Sequence, residues 1–362
     1  MTTITPEDKD RIRQLFDRYI KPDLWREEVA LFTLGANQEL APEVASFLGI
    51  PLGQVTAKRF ADGEPEVQIQ DNVRGKHVVV INSTGPSLEP FPGESGMTHR
   101  DSCANLMFLA AFNDAANRAS ASQVTNVIPY YGFGRSDRKD KPRVPINARI
   151  AADILELANR VVDLDLHSGQ IQGMFSQGFP VDNLYGLLTL TKHLIERVKK
   201  NGVDRKNVVI AGADLGAKVV KKLAKEFGLD LVQIDKDRLS DCETHTDCII
   251  GDVKGKVVLL LDDMLTTGST LYPGGRAVRQ AGATDVLAAF VHPVIVPKGL
   301  ERLQQNDVFS YMCCLNTLDW KYPAVPIAEY LKVLSAAPLI GQTLLEIFTH
   351  GSVSKIFGNI TA

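Results

Sequence analysis

The segment VVLLLDDMLTTGSTL (257–271) carries the clearest chemistry in the chain. An apolar run with the mark of a buried strand ends in two carboxylates, Asp262 and Asp263, and a short stretch of Thr, Gly and Ser then opens a helix pattern. At the carboxyl end of a strand, loop amides and a helix N-terminus face the crevice in which α/β proteins bind ligands. Free N–H groups and the helix dipole favour an anion such as phosphate there. Thr266, Thr267, Ser269 and Thr270 add hydroxyl donors, and Gly268 lets backbone approach a ligand. The aspartates repel phosphate, so sugar hydroxyls or a metal ion suit them better. A plain N-cap is the alternative, but two adjacent acids between VVLLL and TTGST argue against it.

Other candidates are less decided by residue type. RSDRK (135–139) follows the apolar run VIPYY and the glycines Gly132 and Gly134. A solvated charge run is the default for such a stretch, but its place at a strand end favours a pocket holding Arg135 and Arg138. Phe60, Asp62 and Glu64 offer a ring and two acceptors, suited to an aromatic base with an exocyclic amine. Asp62-Gly63 reads equally well as a simple turn. His167 closes RVVDLDLH (160–167), and a lone histidine is more often structural. Lys236 and Arg238, in IDKDR (234–238), read by spacing alone as strand-end solubility residues. Cys242, His245 and Cys248 have C-x-x-H-x-x-C spacing but lack a fourth ligand, which makes zinc the weaker reading.

These residues need strands and helices to place them. Strand-like runs at 29–35, 77–84, 123–131, 160–167, 207–213, 229–236, 257–263 and 285–293 alternate with helix-like runs at 39–49, 105–119, 146–159, 187–202, 217–228 and 269–282. Near-continuous apolar strands separated by helices predict parallel sheets covered on both faces, hence two α/β domains in tandem. A short amphipathic helix is expected over 6–20, a surface loop over 86–100, and a hairpin or loop over 237–250. Cys313 and Cys314 read as core.

The chain has 362 residues, enough for two domains. With 44% hydrophobic and 23% charged residues it can bury a core without staples. A formal net charge of -3 argues against nucleic-acid binding by bulk electrostatics. No apolar run reaches a membrane-spanning length, and the polar start MTTITPEDKDRIRQLF is not a secretory signal. Five scattered cysteines suit free thiols in a reducing cytoplasm.

The segment 257–271 resembles the 5-phosphoribosyl-diphosphate binding loop of type I phosphoribosyltransferases. Further segments resemble the ribose-phosphate diphosphokinase family in the right order: RFADGEPEVQIQDNVRGK (59–76), VIPYYGFGRSDRK (127–139), VPINARIAADIL (144–155), DLHSGQIQGMF (165–175), FPVDNLYG (179–186), NVVIAGADLGA (207–217), IDKDR and IGDVKGK (250–256). The resemblance spans residues 29–357 and implies two tandem type I phosphoribosyltransferase-like domains, each a mainly parallel sheet flanked by helices. It implies an N-terminal extension (1–25), a first domain (26–186, with 345–362 packing back on it) and a second (187–344). The implied reaction joins ATP to ribose 5-phosphate, giving 5-phosphoribosyl 1-diphosphate and AMP. It places Phe60, Asp62 and Glu64 at the adenine of ATP on a neighbouring subunit, and Arg135, Ser136, Arg138 and His167 at the ATP site. It gives Mg2+ to His167 and Asp214, catalysis to Lys236 and Arg238, and ribose 5-phosphate to Asp262, Asp263 and Thr266–Thr270. A cytoplasmic homo-oligomer built from dimers, up to a hexamer, follows from the same resemblance, with no nucleic-acid or membrane partner.

Four departures stand out. The common family form has Asp where Thr266 stands, and a cation where Asp237 stands. Residues 86–100 include an insertion of about a dozen residues, and the first stretch of the chain has no family counterpart. A non-catalytic regulatory homologue that binds nucleotide and a phosphoribosyltransferase are the competing functions. The full set Asp262, Asp263, His167, Asp214, Lys236 and Arg238 speaks against the first, and the segments around Phe60 and Arg135 against the second.

Overall fold

A computed structural model describes residues 24–90, 97–212, 218–234, 249–319 and 329–357. Two sheets form the frame. The first has strand order β1-β4-β7-β8-β9: Val29–Thr33 (β1), His77–Ile81 (β4), Gln123–Ile128 (β7), Arg160–Leu164 (β8) and Val181–Leu184 (β9). Every pairing in it is parallel. The second has order β12-β11-β10-β13-β14-β15-β16: Ile249–Ile250 (β12), Asp230–Ile234 (β11), Val208–Gly212 (β10), Val257–Met264 (β13), Asp285–His292 (β14), Tyr311–Leu315 (β15) and Leu331–Leu334 (β16). It is parallel except for β12, which runs against β11.

Side-chain alternation explains why the strands read as apolar throughout. Along β4, Val78 and Val80 enter one core, while Val79 and Ile81 enter another. Along β13, Val258 and Leu260 point opposite to Val257, Leu259 and Leu261. Successive strand residues face opposite sides, so a strand covered on both faces must be apolar at every position. The outer faces are covered by Ser102–Arg118 (α3) and Asn147–Leu155 (α4) on the first sheet, and by Leu271–Gln280 (α7) and Pro297–Gln304 (α8) on the second. A shared inner core joins both sheets and takes in Leu40–Leu48 (α2), Gly186–Lys200 (α5), Lys218–Phe227 (α6) and Ala337–Phe348 (α9).

Local signals set the helix ends. Gly49, at φ 67°, ends α2 in the left-handed conformation and returns its N–H to Ala45 and Ser46. The Asp101 carboxylate caps α3 by accepting from the Ala104 N–H at 2.7 Å. Trp25, in the short helix Leu24–Glu28 (α1), stacks on Phe348 of α9 with ring centroids 5.2 Å apart. Near the end of the described chain, Phe357 meets Tyr185 edge-on at 5.2 Å.

One expectation is corrected. The stretch 86–100 is not simply a loop: Ser87–Pro90 (β5) and Met97–Arg100 (β6) pair antiparallel, with Ser87 opposite Arg100 and Pro90 opposite Met97. A second hairpin, Val55–Arg59 (β2) with Pro65–Ile69 (β3), has Phe60 to Glu64 at its tip. The helix expected over 6–20 and nearly all of 237–250, including Cys242, His245 and Cys248, lie outside the described residues. Cys313 and Cys314 are buried free thiols in β15. Among the described residues no helix is long and apolar enough to cross a membrane.

Asp163 in β8 is fully buried, and neither carboxylate oxygen has a hydrogen-bond partner among the described residues. Burial first, then the charges of Asp165 and Asp182, push its pKa well above the ordinary carboxylate value. A carboxyl whose folded pKa is raised adds stability at low pH, and that contribution is lost as pH climbs toward the folded value. Asp163→Asn should therefore raise the unfolding temperature at pH 8 by about 2 °C or more and change it little at pH 4, measured by thermal denaturation at both pH values. A gain that is equal at both would show that the charge is not the cause.

Candidate active site

In both sheets the parallel strands release their loops at the carboxyl end. From the first sheet come residues 82–84 after β4, 129–135 after β7 and 165–168 after β8; from the second come 265–270 after β13, the turn after His292 and 316–319 after β15. Tyr130, Tyr131, Arg135, Asp165, Leu166, His167, Met264 and His292 line one cleft between them.

The centre of this cleft is a bond between the two sheets. His167 Nδ1 lies 2.6 Å from Asp263 Oδ2. The hydrogen bond to Asp263 raises the His167 pKa against the opposing effect of burial. Burial also works to raise the Asp263 pKa, but the hydrogen bond and charge of His167 carry it below the ordinary value. With Nδ1 committed to a carboxylate, the ring is oriented and Nε2 remains as the atom that could ligate a metal. Asp262 Oδ1 accepts from the Asp263 N–H at 3.0 Å, which fixes the adjacent pair. Asp165, buried behind them, accepts the N–H groups of Gly186 and Leu187 at the start of α5. Burial nevertheless pushes its pKa up to about 7.

The loop 265–270 is held from behind by α8. The Thr266 carbonyl accepts from Val296 N at 3.3 Å, and a Cβ on Gly299 would meet that carbonyl oxygen at 2.0 Å, so only glycine fits. Arg302 Nη1 donates to the Thr267 carbonyl at 2.9 Å. Gly268 has φ 71°, and the Thr267 and Ser269 hydroxyls bond each other at 3.0 Å. Thr270 occupies the N-cap position of α7 without a side-chain cap bond.

Of the residues singled out by sequence, His167 and Arg135 line the cleft, Asp263 joins them through its bond to His167, and Asp262 lies beside Asp263 at the end of β13, with Thr266–Thr270 on the adjoining loop. Ser136 is spent on its own loop: its hydroxyl donates to the Pro145 carbonyl at 3.2 Å. Arg135 and Arg138 are exposed. Phe60, Asp62 and Glu64 sit exposed on the β2–β3 tip and are not part of the cleft lining. There the Glu64 N–H bonds the Asp62 carboxylate at 3.1 Å, so Asp62-Gly63 does form the turn. Asp214, Lys236 and Arg238 lie outside the described residues. Among the described residues no group of three His, Cys, Asp or Glu side chains could hold a metal. Their share of a metal shell would be one imidazole nitrogen, His167 Nε2, with the oxygen ligands that Mg2+ prefers coming from water and phosphate.

Sequence reasoning missed Asp165, His292, Arg302 and Thr317. His292 ends β14, buried, with Nδ1 3.0 Å from the Thr317 hydroxyl. Burial lowers its pKa to about 4. A polar residue closing an apolar strand, as in LAAFVH, is the signal that marks it.

Carboxyl-end loops from two parallel sheets, with paired acids before a Thr/Gly/Ser loop, define a phosphoribosyltransferase-type α/β protein. A family model for the N-terminal domain of ribose phosphate pyrophosphokinase matches residues 29–158, and one for the phosphoribosyl transferase domain matches 181–328. The chain is 38% identical to the ribose-phosphate pyrophosphokinase of Wolinella succinogenes, covering 90% of this chain and 98% of that one. It is likewise 38% identical to that of Clostridium tetani, covering 92% and 98%. The crystal structure of phosphoribosylpyrophosphate synthetase from Mycobacterium smegmatis superposes with a TM-score of 0.75 at 33% identity, covering 90% of this chain and 100% of that one. The chain belongs to the ribose-phosphate pyrophosphokinase family.

The His167–Asp263 bond has a direct test. In a histidine NMR titration of the apoprotein, His167 should titrate above its ordinary value of about 6.5. In Asp263→Asn it should fall, because burial and the charge of Arg135 are then opposed only by the weaker pull of Asp137. An unchanged titration would mean that the bond is absent in solution.

Proposed function

We propose that this chain is an active ribose-phosphate diphosphokinase, moving the diphosphoryl group of ATP to the C1 hydroxyl of ribose 5-phosphate and releasing AMP. The observation that carries this reading is the meeting of His167 from the first sheet with Asp263 from the second in one cleft. A phosphoribosyltransferase needs only the second half of that pairing. A division into 26–186 with 345–362, and 187–344, accompanies the proposal.

In this reading loop amides of residues 266–270 and the start of α7 hold the 5-phosphate, and Asp262 and Asp263 orient the ribose hydroxyls. The exposed Arg135 and Arg138 hold ATP phosphates, and Ser136 shapes the loop that presents them. Phe60, Asp62 and Glu64 serve the adenine of ATP on a neighbouring subunit, which makes the active form a homo-oligomer. His167 and Asp214 hold Mg2+, which neutralises phosphate oxygens when bound. Taking up the ion requires His167 to give up its proton. The C1 oxygen bonds the β-phosphorus as the bond from that phosphorus to the α–β bridging oxygen breaks, AMP leaves with that oxygen, the C1 hydroxyl proton passes to solvent, and Lys236 and Arg238 stabilise the charge that develops. Sugar phosphates and free thiols suit a cytoplasmic setting.

Incubation with ATP, Mg2+ and ribose 5-phosphate should yield AMP and 5-phosphoribosyl 1-diphosphate in equal amounts, and excess chelator should abolish turnover. ADP as product would mean a different kinase. No turnover would favour the regulatory homologue.

Lys236→Ala and Arg238→Ala should each lower kcat by the equivalent of about 2.7–4 kcal/mol, with a smaller change in KM for ribose 5-phosphate. Full activity in both would remove this loop from catalysis. Thr266 gives the sharpest test. Phosphoryl transfer has a loose transition state, so early removal of the nucleophile's proton matters little. Thr266→Asp should then change kcat less than tenfold, under about 1.4 kcal/mol. A rise of several hundredfold would show that the natural threonine cripples catalysis.

A further inference from the structure

Behind the cleft, the seam between the sheets contains fully buried polar groups that the reading above does not use. Thr317 lies just past β15 and has no exposed surface. Its carbonyl oxygen accepts two hydrogen bonds from the first sheet's side, from Asn37 Nδ2 at 3.0 Å and Ser83 Oγ at 2.6 Å. Asn37 Oδ1 accepts the Ser83 N–H at 2.7 Å, and Ser83 Oγ accepts the Tyr130 N–H at 3.1 Å. On the other side the Thr317 hydroxyl meets His292 Nδ1 at 3.0 Å, and His292 Nε2 faces the Asp165 carbonyl at 3.4 Å. A carbonyl can only accept, so Nε2 carries the proton and Nδ1 accepts from the threonine. Burial, which lowers the His292 pKa to about 4, keeps the imidazole neutral, so each bond in the chain has one direction.

This chain of bonds reaches the backbone of each described segment that carries a cleft residue. Tyr130 starts the turn to Arg135, and the neighbouring Thr84 hydroxyl accepts the Gly132 N–H at 2.7 Å. Asp165 precedes His167 by two residues. The His292 carbonyl accepts the Leu265 N–H at 3.0 Å, next to Thr266. The two bonds onto the Thr317 carbonyl join segments more than two hundred residues apart in sequence, 280 from Asn37 and 234 from Ser83, and His292 lies 127 residues from Asp165.

We propose that Asn37, Ser83, Thr317 and His292 are positioning residues that set the separation of the two half-sites, the Arg135–His167 side on the first sheet and the ribose side on the second. The proposal rests on the diphosphokinase reading. Asn37, Ser83 and Thr317 are buried and absent from the cleft lining, and His292, which closes the back of that lining, is itself buried with both ring nitrogens committed to the network, so the four act through the loops that they hold. A reacting pair must approach within a few tenths of an ångström of the productive geometry, and a misplacement of about 1 Å can cost about 10²-fold in rate. A buried polar group that loses its partner has no water to replace it, so the seam must shift to satisfy it.

The test uses the full chain and three variants. Thr317→Val is near-isosteric and removes the hydroxyl that reaches His292. Thr317→Ser keeps it, and Ser83→Ala removes the bridge from Tyr130 to Thr317. Turnover is measured at saturating substrates, and ribose 5-phosphate and a non-hydrolysable ATP analogue are titrated separately by calorimetry. Thr317→Val and Ser83→Ala should lose about tenfold to a hundredfold in kcat, while each ligand binds with Kd within about twofold of wild type. Thr317→Ser should stay near wild type. Unchanged kcat in both variants, even with a lower unfolding temperature, would reduce the network to ordinary core satisfaction and overturn the proposal. So would a loss in Thr317→Ser equal to that in Thr317→Val, or a kcat loss matched by weaker binding. A wild-type chain that makes no AMP would instead sink the diphosphokinase reading, and the positioning role with it.

Discussion

The arrangement depends on one topological constraint. Parallel strands must each return through a crossover, so all of them release their loops on the same side of the sheet. Here two such sheets share an inner core that runs from Val79 and Val162 of the first to Leu259 and Ala289 of the second. That common core brings two sets of carboxyl-end loops together. Neither sheet alone holds both His167 and Asp263, and their contact exists because the apolar faces behind them are buried against the same helices.

The electrostatics of the cleft follow from that burial. Asp163 in β8 and Asp165, which lines the cleft just past that strand, are both buried, and desolvation disfavours the charge on both. Asp263 escapes because a cation-capable partner lies 2.6 Å away on the other sheet. Asp263 is thus held ionised while Asp163 and Asp165 are biased toward neutrality, which concentrates negative charge on the carboxylate that faces His167.

Much of this was legible in sequence because it is local. VVLLLDD reads as a buried strand with an acidic end, and Gly49 reads as a helix stop, because each signal is carried by neighbouring residues. The β2–β3 hairpin was visible only through its Asp62-Gly63 turn. Its strands, VTAKR and PEVQI, are half-exposed and mix charge with apolar residues. The pairing of Ser87–Pro90 with Met97–Arg100 rests on backbone bonds, which a segment rich in proline and glycine does not advertise. His292 showed in sequence only as the polar end of LAAFVH, and its bonds, like those of Thr317, were invisible for a different reason: the partners Asp165, Asn37 and Ser83 lie far away in the chain, and no single-sequence period encodes such a bond.

The loop after β13 is shaped by contacts to its backbone. At Thr266, where the resemblance leads one to expect Asp, the structure grips the backbone. Its carbonyl is held by the Val296 N–H and closed in by Gly299, where no Cβ fits. Arg302 anchors the next carbonyl, and Gly268 supplies the left-handed turn. Conformation is therefore set by α8 and by glycine, while the side chain at 266 sets the local charge. Exchanging Asp for Thr removes one negative charge from a loop whose amides suit an anion, and it leaves the direction of those amides to packing that does not involve the exchanged atoms.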